Sequence, residues 1–287
     1  MSETTNLRQA ETKVTVEGIL ADKSLEQIVD KNGNPGVRGS VSIKVDELNT
    51  IRFKVYVGQK TSKGEENKAW QGIQTVMNEY KSIPEVGLEN ADRIRVSRGS
   101  FDTYKNQNGT DVTTYSSNYF SRTTGEPKPE RTFQTECFIK GKSWEVDPEG
   151  NETGRLKIKA ISPTFSGIAI LDLIAPKEDN FANDADDLFE VGNTYRIDGQ
   201  IVNSRVEKKV KAALGSLKGD TEFRNELIIT GSSDPYPEEK AYDKGAIDLA
   251  IQNYEDTQAQ AQSARDSKAA SNSKPSAEKM GRAGLSF

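Results

Sequence analysis

The stretch Ser40–Val57, SVSIKVDELNTIRFKVYV, holds two alternating runs separated by a short polar break. In the first run Val41, Ile43 and Val45 share one face, and Ser40, Ser42 and Lys44 share the other. In the second, Ile51, Phe53, Val55 and Val57 oppose Arg52, Lys54 and Tyr56. Successive side chains of a strand point to opposite faces, so this period of two predicts a pair of half-buried strands. Each has an apolar inner face and a polar, basic outer one.

The pattern extends in both directions. Upstream, Val14, Val16 and Ile19 lead from Lys13 into a first strand that ends at Asn32-Gly33-Asn34-Pro35-Gly36, a run of turn formers. Downstream, Trp70, Ile73, Val76, Met77 and Tyr80 recur at spacings of three and four, which predicts an amphipathic helix over Asn67–Tyr80. Strands then resume. Arg93–Phe101 alternates around Ile94 and Val96, with Gly99 read as a bulge. Asn106-Gln107-Asn108-Gly109 reads as a hairpin turn, and Val112–Phe120 as the last strand of the set. The order is three strands, a helix, then two strands.

The same grammar returns after residues 121–130, a Pro- and Gly-containing linker. Thr132–Trp144 is a long strand, Asp147–Gly154 a turn, Arg155–Ile161 and Ile168–Ala175 strands. Asn180–Phe189 is an acidic, helical stretch, and Tyr195–Val206 and Glu226–Gly231 complete the set. The two halves agree in order and pattern and hardly in identity. The expected organisation is a first domain at 13–120, the linker at 121–130, a second domain at 131–233 and a flexible tail at 234–287. Within the tail, Ile247, Ala250, Ile251 and Tyr254 place one amphipathic helix over Gly245–Asp256. The Ala/Ser/Gln/Lys tract beyond it buries no core and is expected to be disordered.

Composition narrows the chemistry. The 287 residues contain no His and one Cys and carry a formal net charge of −5. Without His there is no Ser-His-Asp or Cys-His arrangement, and with Cys137 alone there is no internal disulfide and no Cys/His zinc site. Neither GxxxxGK[ST] nor GxGxxG occurs. Asp184, Asp186 and Asp187 lack the Gly and Glu of a calcium loop and read as solvated carboxylates. No metal, no cofactor and no enzymatic activity are therefore expected. No run approaches a membrane span and no signal peptide follows Met1, so a cytoplasmic protein without a membrane partner is the expectation. An apolar share of 33% suits two small cores plus a polar tail. Phe53, Trp70 and Cys137 read as core residues.

Two successive units of five strands, with a helix between the third and fourth, resemble the OB-folds of single-stranded DNA-binding proteins, above all the divergent bacteriophage versions. The resemblance implies a mainly β protein: two tandem OB-fold-like five-stranded barrels with short helices and a disordered C-terminal tail. It also implies a strand of nucleic acid lying across the second and third strands of a barrel. Such proteins combine a cationic groove with aromatic faces on which bases stack. The outward candidates in the first half are Lys44, Arg52, Lys54, Tyr56, Arg93, Arg95, Arg98, Tyr104, Lys105, Tyr115 and Tyr119. In the second half they are Phe138, Lys140, Lys142 and Trp144 on the first strand and Arg155, Lys157 and Lys159 on the second. Lys208, Lys209 and Lys211 form a further basic cluster in a loop. Alternating Lys and Arg are equally the mark of a solvated strand face.

The expected function is sequence-independent binding of single-stranded DNA, or of RNA, that protects or organises strands in phage replication or recombination, in the host cytoplasm. The alternative is a non-enzymatic structural or assembly protein built from two β-barrels. The resemblance also implies a protein partner for the tail ending at Phe287, although Lys274, Lys279 and Arg282 make this tail less acidic than those of bacterial members.

Overall fold

The computed structural model describes residues 7–30, 33–210 and 218–272. Asn32 of the first predicted turn, Lys211, and Lys274, Lys279, Arg282 and Phe287 of the tail lie outside them. The chain is mainly β. The alternation of Ser40–Val57 appears as β2 (Pro35–Lys44) and β3 (Thr50–Gly58), which bury Val41, Ile43, Ile51, Phe53, Val55 and Val57 and leave Arg52, Lys54 and Tyr56 outside. β1 (Thr12–Val29) pairs antiparallel with β2, and β2 with β3. β3 lies parallel to β5 (Asp111–Ser116), β5 antiparallel to β4 (Arg93–Lys105), and β4 antiparallel to β1. The five strands thus close on themselves and leave no open edge along the ring. A register shift opposite Val14–Val16 places the β4 irregularity next to Gly99, where the bulge is predicted. The helix α1 (Ala69–Glu79) joins β3 to α2 (Ile83–Val86) and buries Ala69, Ile73 and Val76 against the ring.

The second ring repeats the first in order and pairing sense. β7 (Glu130–Val146), β8 (Glu152–Thr164) and β9 (Gly167–Ala175) form an antiparallel run. After α3 (Phe181–Leu188), β10 (Thr194–Val210) and β11 (Lys218–Ser232) complete it. β9 is parallel to β11, β11 antiparallel to β10, and β10 antiparallel to β7. The equivalence reaches single side chains. Lys23 of β1 donates to the carbonyls of Met77 and Tyr80 at the end of α1, 2.9 and 2.5 Å away. Lys142 of β7 donates to the Asp186 carbonyl near the end of α3 at 2.5 Å. Each lysine meets the carbonyl-rich, negative end of its ring's helix.

Three elements differ from the sequence expectation. The strand predicted for Val112–Phe120 stops at Ser116, where the Ser117 hydroxyl takes up the Tyr119 backbone N–H at 3.2 Å and turns the chain. β6 (Ser121–Arg122) then adds to β4 inside the predicted linker. The helix predicted to end at Asp256 runs as α4 (Lys244–Asn272), since its Ala- and Gln-rich continuation carries high helix propensity.

The rings share one sheet of eleven strands because β1 and β7 pair antiparallel, from Thr12 opposite Thr135 to Glu17 opposite Glu130. This register sets two carboxylates against each other. Arg95 of β4 lies between them, 2.8 Å from Glu17 Oε2 and 2.7 Å from Glu130 Oε2. Across the same seam runs a file of aromatic contacts: Phe120 to Phe53, Phe53 to Tyr115, Tyr115 to Phe101, and Phe101 to Phe133 of β7, with centroids 5.6–6.2 Å apart. A Cβ at Gly199 would collide with the Phe133 ring, so β10 needs glycine where that ring is seated.

A second, smaller core lies outside the second ring. Phe138, Ile161, Ile168 and Ile170 point outward and are covered by Tyr242, Ile247, Ala250 and Tyr254. The Glu136 carboxylate ties this layer down, accepting bonds from Arg8, from the Glu11 backbone N–H at 3.0 Å and from the Tyr242 hydroxyl at 3.2 Å. Burial alone would raise its pKa, but Arg8, the Glu11 N–H and the Tyr236 hydroxyl hold it below the usual carboxylate range. No described helix is long and apolar enough to cross a membrane.

Two outcomes follow from these ties. Arg95→Ala leaves Glu130 without this cation and Glu17 with only Arg93, 3.8 Å away, and should destabilise the fold by about 2 kcal/mol in urea unfolding. Glu136, with a folded pKa below its unfolded one, stabilises the protein above the unfolded value and loses that contribution as pH falls through the folded one. Glu136→Gln should therefore cost about 1–3 kcal/mol at pH 7. In thermal unfolding, its deficit against the wild type should shrink below about pH 4.

Candidate nucleic-acid interface

The outer face of the first ring carries a groove. Pairing sets Arg38 beside Tyr56, Ser40 beside Lys54 and Ser42 beside Arg52 on β2 and β3. Lys54 sits beside Ser116 of β5, which faces Ser100 of β4. One concavity of about 580 Å³ is lined by Arg38, Lys54, Tyr56, Arg98, Ser116 and Tyr119. It meets a second, of about 380 Å³, at Gly39 and Lys54, and that one is lined by Arg52, Tyr104, Thr114, Asn203 and Asn225. Gly39 has φ +142°, and a Cβ there would collide with the Ser24 carbonyl oxygen, so glycine lets β2 approach β1 at the groove's centre.

Charge and ring surface coincide along this face. Lys44, Arg52 and Arg98 make no salt bridge or side-chain hydrogen bond among the described residues. The Lys54 ammonium is 3.3 Å from Asp102 and 4.8 Å from the centroid of the Tyr104 ring, a loose pair that leaves donors to spare. Tyr56 is 62% exposed and Tyr119 48%. The Asn118 carboxamide oxygen accepts from the Tyr56 backbone N–H at 3.4 Å, and Ser117 holds Tyr119, so the loop after β5 sets both rings at one rim. Exposed rings beside unneutralised cations are the two elements of sequence-tolerant strand binding.

The other candidates are elsewhere. Tyr115 is corrected from outward to core: β5 pairs it with Phe101, and it lies 2% exposed between Phe53 and Phe101. Phe138 is corrected likewise, 2% exposed beneath α4. Its side chain does point out of the ring, opposite the core residues Cys137 and Ile139, but Tyr242, Ile247 and Tyr254 cover it. Arg93 and Arg95 both face Glu17, and Arg95 also Glu130. Lys105 pairs with Asp111, and Lys140 with Asp248 of α4. Lys142 caps α3 and pairs with Asp186, while Trp144 packs partly buried against the main core. Arg155 meets Glu145 and Glu226, and Lys157 meets Glu145. Lys159 is exposed, but its neighbour on β9 is Asp172. The repeated basic face is thus open on the first ring, while on the second all of it but Lys159 is paired, partly buried or covered by α4. Lys208 and Lys209 lie within β10 rather than in a loop. Among the described residues no group of three or more acidic or Cys side chains gathers as a metal site, and Asp186 is engaged with Lys142.

Sequence reasoning missed Arg38, Ser116, Asn118, Asn203 and Asn225. Arg38 shares the parity of Ser40 and Lys44 and was within reach of the alternation. The two asparagines come from the other half of the chain, and only the tertiary fold brings them in.

The chain matches the YorF family model over residues 11–267 and belongs to that family. Its sequence matches no curated protein. The fold is similar to crystal structures of the single-stranded DNA binding protein from Thermus aquaticus. The wild type has 11% identity and a TM-score of 0.45, covering 83% of this chain and 99% of that one. A deletion mutant of the same protein has 12% identity and a TM-score of 0.45, covering 81% and 99%.

The Tyr115 hydroxyl is buried without a hydrogen-bond partner. Tyr115→Phe should therefore raise stability by about 1 kcal/mol in denaturant unfolding, whereas no gain would mark a hydroxyl that reaches solvent in the groove.

Proposed function

We propose that this protein binds single-stranded DNA without a required sequence, along the groove on the outer face of the first ring. The observation that supports this reading is the coincidence, on one concave strand face, of Arg52 and Arg98, unpaired among the described residues, loosely held Lys54, and the exposed rings of Tyr56 and Tyr119. The cations neutralise phosphates and release counterions, and the tyrosines stack bases whatever their identity. A strand is selected over a duplex because stacking needs unpaired bases. The net charge of −5 does not oppose this: among the described residues, Asp102 beside Lys54 is the one acidic side chain lining the groove. We assign the first ring the strand and the second ring, with its face under α4, a supporting role. A role in replication or recombination would follow from covering strands exposed in those processes.

Anisotropy of a labelled oligo-dT at rising salt tests the reading. With three to four phosphates neutralised, log Kd should change with log salt with a slope of about 2–3, and duplex of the same length should bind far more weakly. Arg52→Ala should weaken binding and lower the slope by about 0.7. Tyr56→Ala should cost about 1–3 kcal/mol and leave the slope unchanged. No binding to oligo-dT at low salt would end the proposal.

A further inference from the structure

The β10–β11 hairpin reaches out of the second ring and leans on the first. Ser204 bridges to Asn49, and the Asn203 backbone N–H donates to the Asn49 side-chain oxygen at 3.1 Å. Asn49 is itself buried and held by Asp46, to which its amide donates at 2.9 Å. Arg131 of β7 adds a bond to the Ile201 carbonyl at 2.6 Å. The hairpin is therefore fixed against the first ring where it crosses the groove.

At that crossing Asn203 and Asn225 are direct cross-strand partners. Both line the part of the groove that holds Arg52, Lys54 and Tyr104. Neither side-chain amide has a hydrogen-bond partner among the described residues, and Asn225 is exposed. Cross-strand neighbours have Cβ atoms about 4.5–5.5 Å apart, so the two amides form one patch. A carboxamide can donate to a phosphate oxygen, but it carries no charge and leaves its acceptor oxygen unused there. What a carboxamide offers is one donor and one acceptor side by side. On a base, adenine presents the matching pair, an exocyclic amine beside a ring nitrogen, and Asn is suited to contact it bidentately.

We infer that Asn203 and Asn225 form a base-edge reader over the stacking groove, favouring adenine among the bases that pass through it. This rests on the strand-binding reading and adds graded base preference to it. The second ring thereby contributes to the site through its hairpin, while its own strand face does not.

The test compares oligo-dA with an oligonucleotide of the same length built from unsubstituted purine deoxynucleosides, which keep the stacking surface and lack the exocyclic amine. The wild type should bind oligo-dA about tenfold more tightly, the equivalent of one good bidentate contact. In N203A/N225A that ratio should fall to about one, with the salt slope unchanged. Asn225→Ala alone, at an exposed position, should reduce the ratio partway and keep the unfolding midpoint of the wild type, which separates lost contact from lost fold. Equal binding of the two oligonucleotides by the wild type, or the same ratio in wild type and double variant, would overturn the assignment while leaving strand binding in place. Failure to bind any single strand at low salt would instead remove the reading on which it rests.

Discussion

The antiparallel pairing of β1 with β7 is the constraint from which the rest of the structure follows. Each is the first strand of its ring, with one stretch paired to its ring's second strand and another to its fourth. Joining their opening stretches makes two closed rings into one sheet. The register of that pairing opposes Glu17 and Glu130 and so requires a cation between them. Arg95 answers that requirement, with Arg93 3.8 Å from Glu17 at its side. Two arginines that look in sequence like part of a binding face are thereby committed to structure.

The seam also decides which surfaces stay open. It brings β4 of the first ring against β9 of the second, where the Thr103 hydroxyl meets the Ile170 carbonyl at 3.2 Å and its backbone N–H at 3.0 Å. It lets α4 reach both rings: Tyr254 covers the outer apolar patch of the second and donates to Asp111 of the first at 3.0 Å, while Gln258 accepts from the Lys105 backbone N–H at 3.1 Å. Much of the strand face of the second ring is closed by this helix and by carboxylates paired with Lys140, Arg155 and Lys157. The same arrangement swings the β10–β11 hairpin over the first ring. One ring keeps a cationic, aromatic face, and the other supplies a wall to it.

Much of the fold was legible in the sequence because it rests on local periodicity. The alternation at Ser40–Val57, the helical spacing at Trp70–Tyr80 and the turn formers at Asn106–Gly109 each act within a few residues. Arg52, Lys54 and Tyr56 could be placed outward on that basis alone. The burial of Tyr115 and Phe138 could not be read: the first depends on which way a short strand enters the ring, and the second on a helix more than a hundred residues away that covers an outward side chain. Partnering was equally hidden. Lys140 and Lys142 look alike in sequence, yet one meets Asp248 and the other caps α3. Charge pairing across the chain separates a binding cation from a structural one, and no spacing rule records it. Asn203 and Asn225 carry no sequence signal of binding, since their meaning comes only from the hairpin's crossing.

The central claim is that a single strand lies on the first ring and under the hairpin, and not on the second ring's own strand face. Amide hydrogen exchange with and without saturating oligo-dT tests it most directly. A strand bound there should slow exchange in β2, β3, the loop after β5 and the crossing segment of β10–β11, with β8 and β9 unchanged. Protection centred on Arg155–Lys159 of β8, with β2 and β3 unaffected, would contradict it.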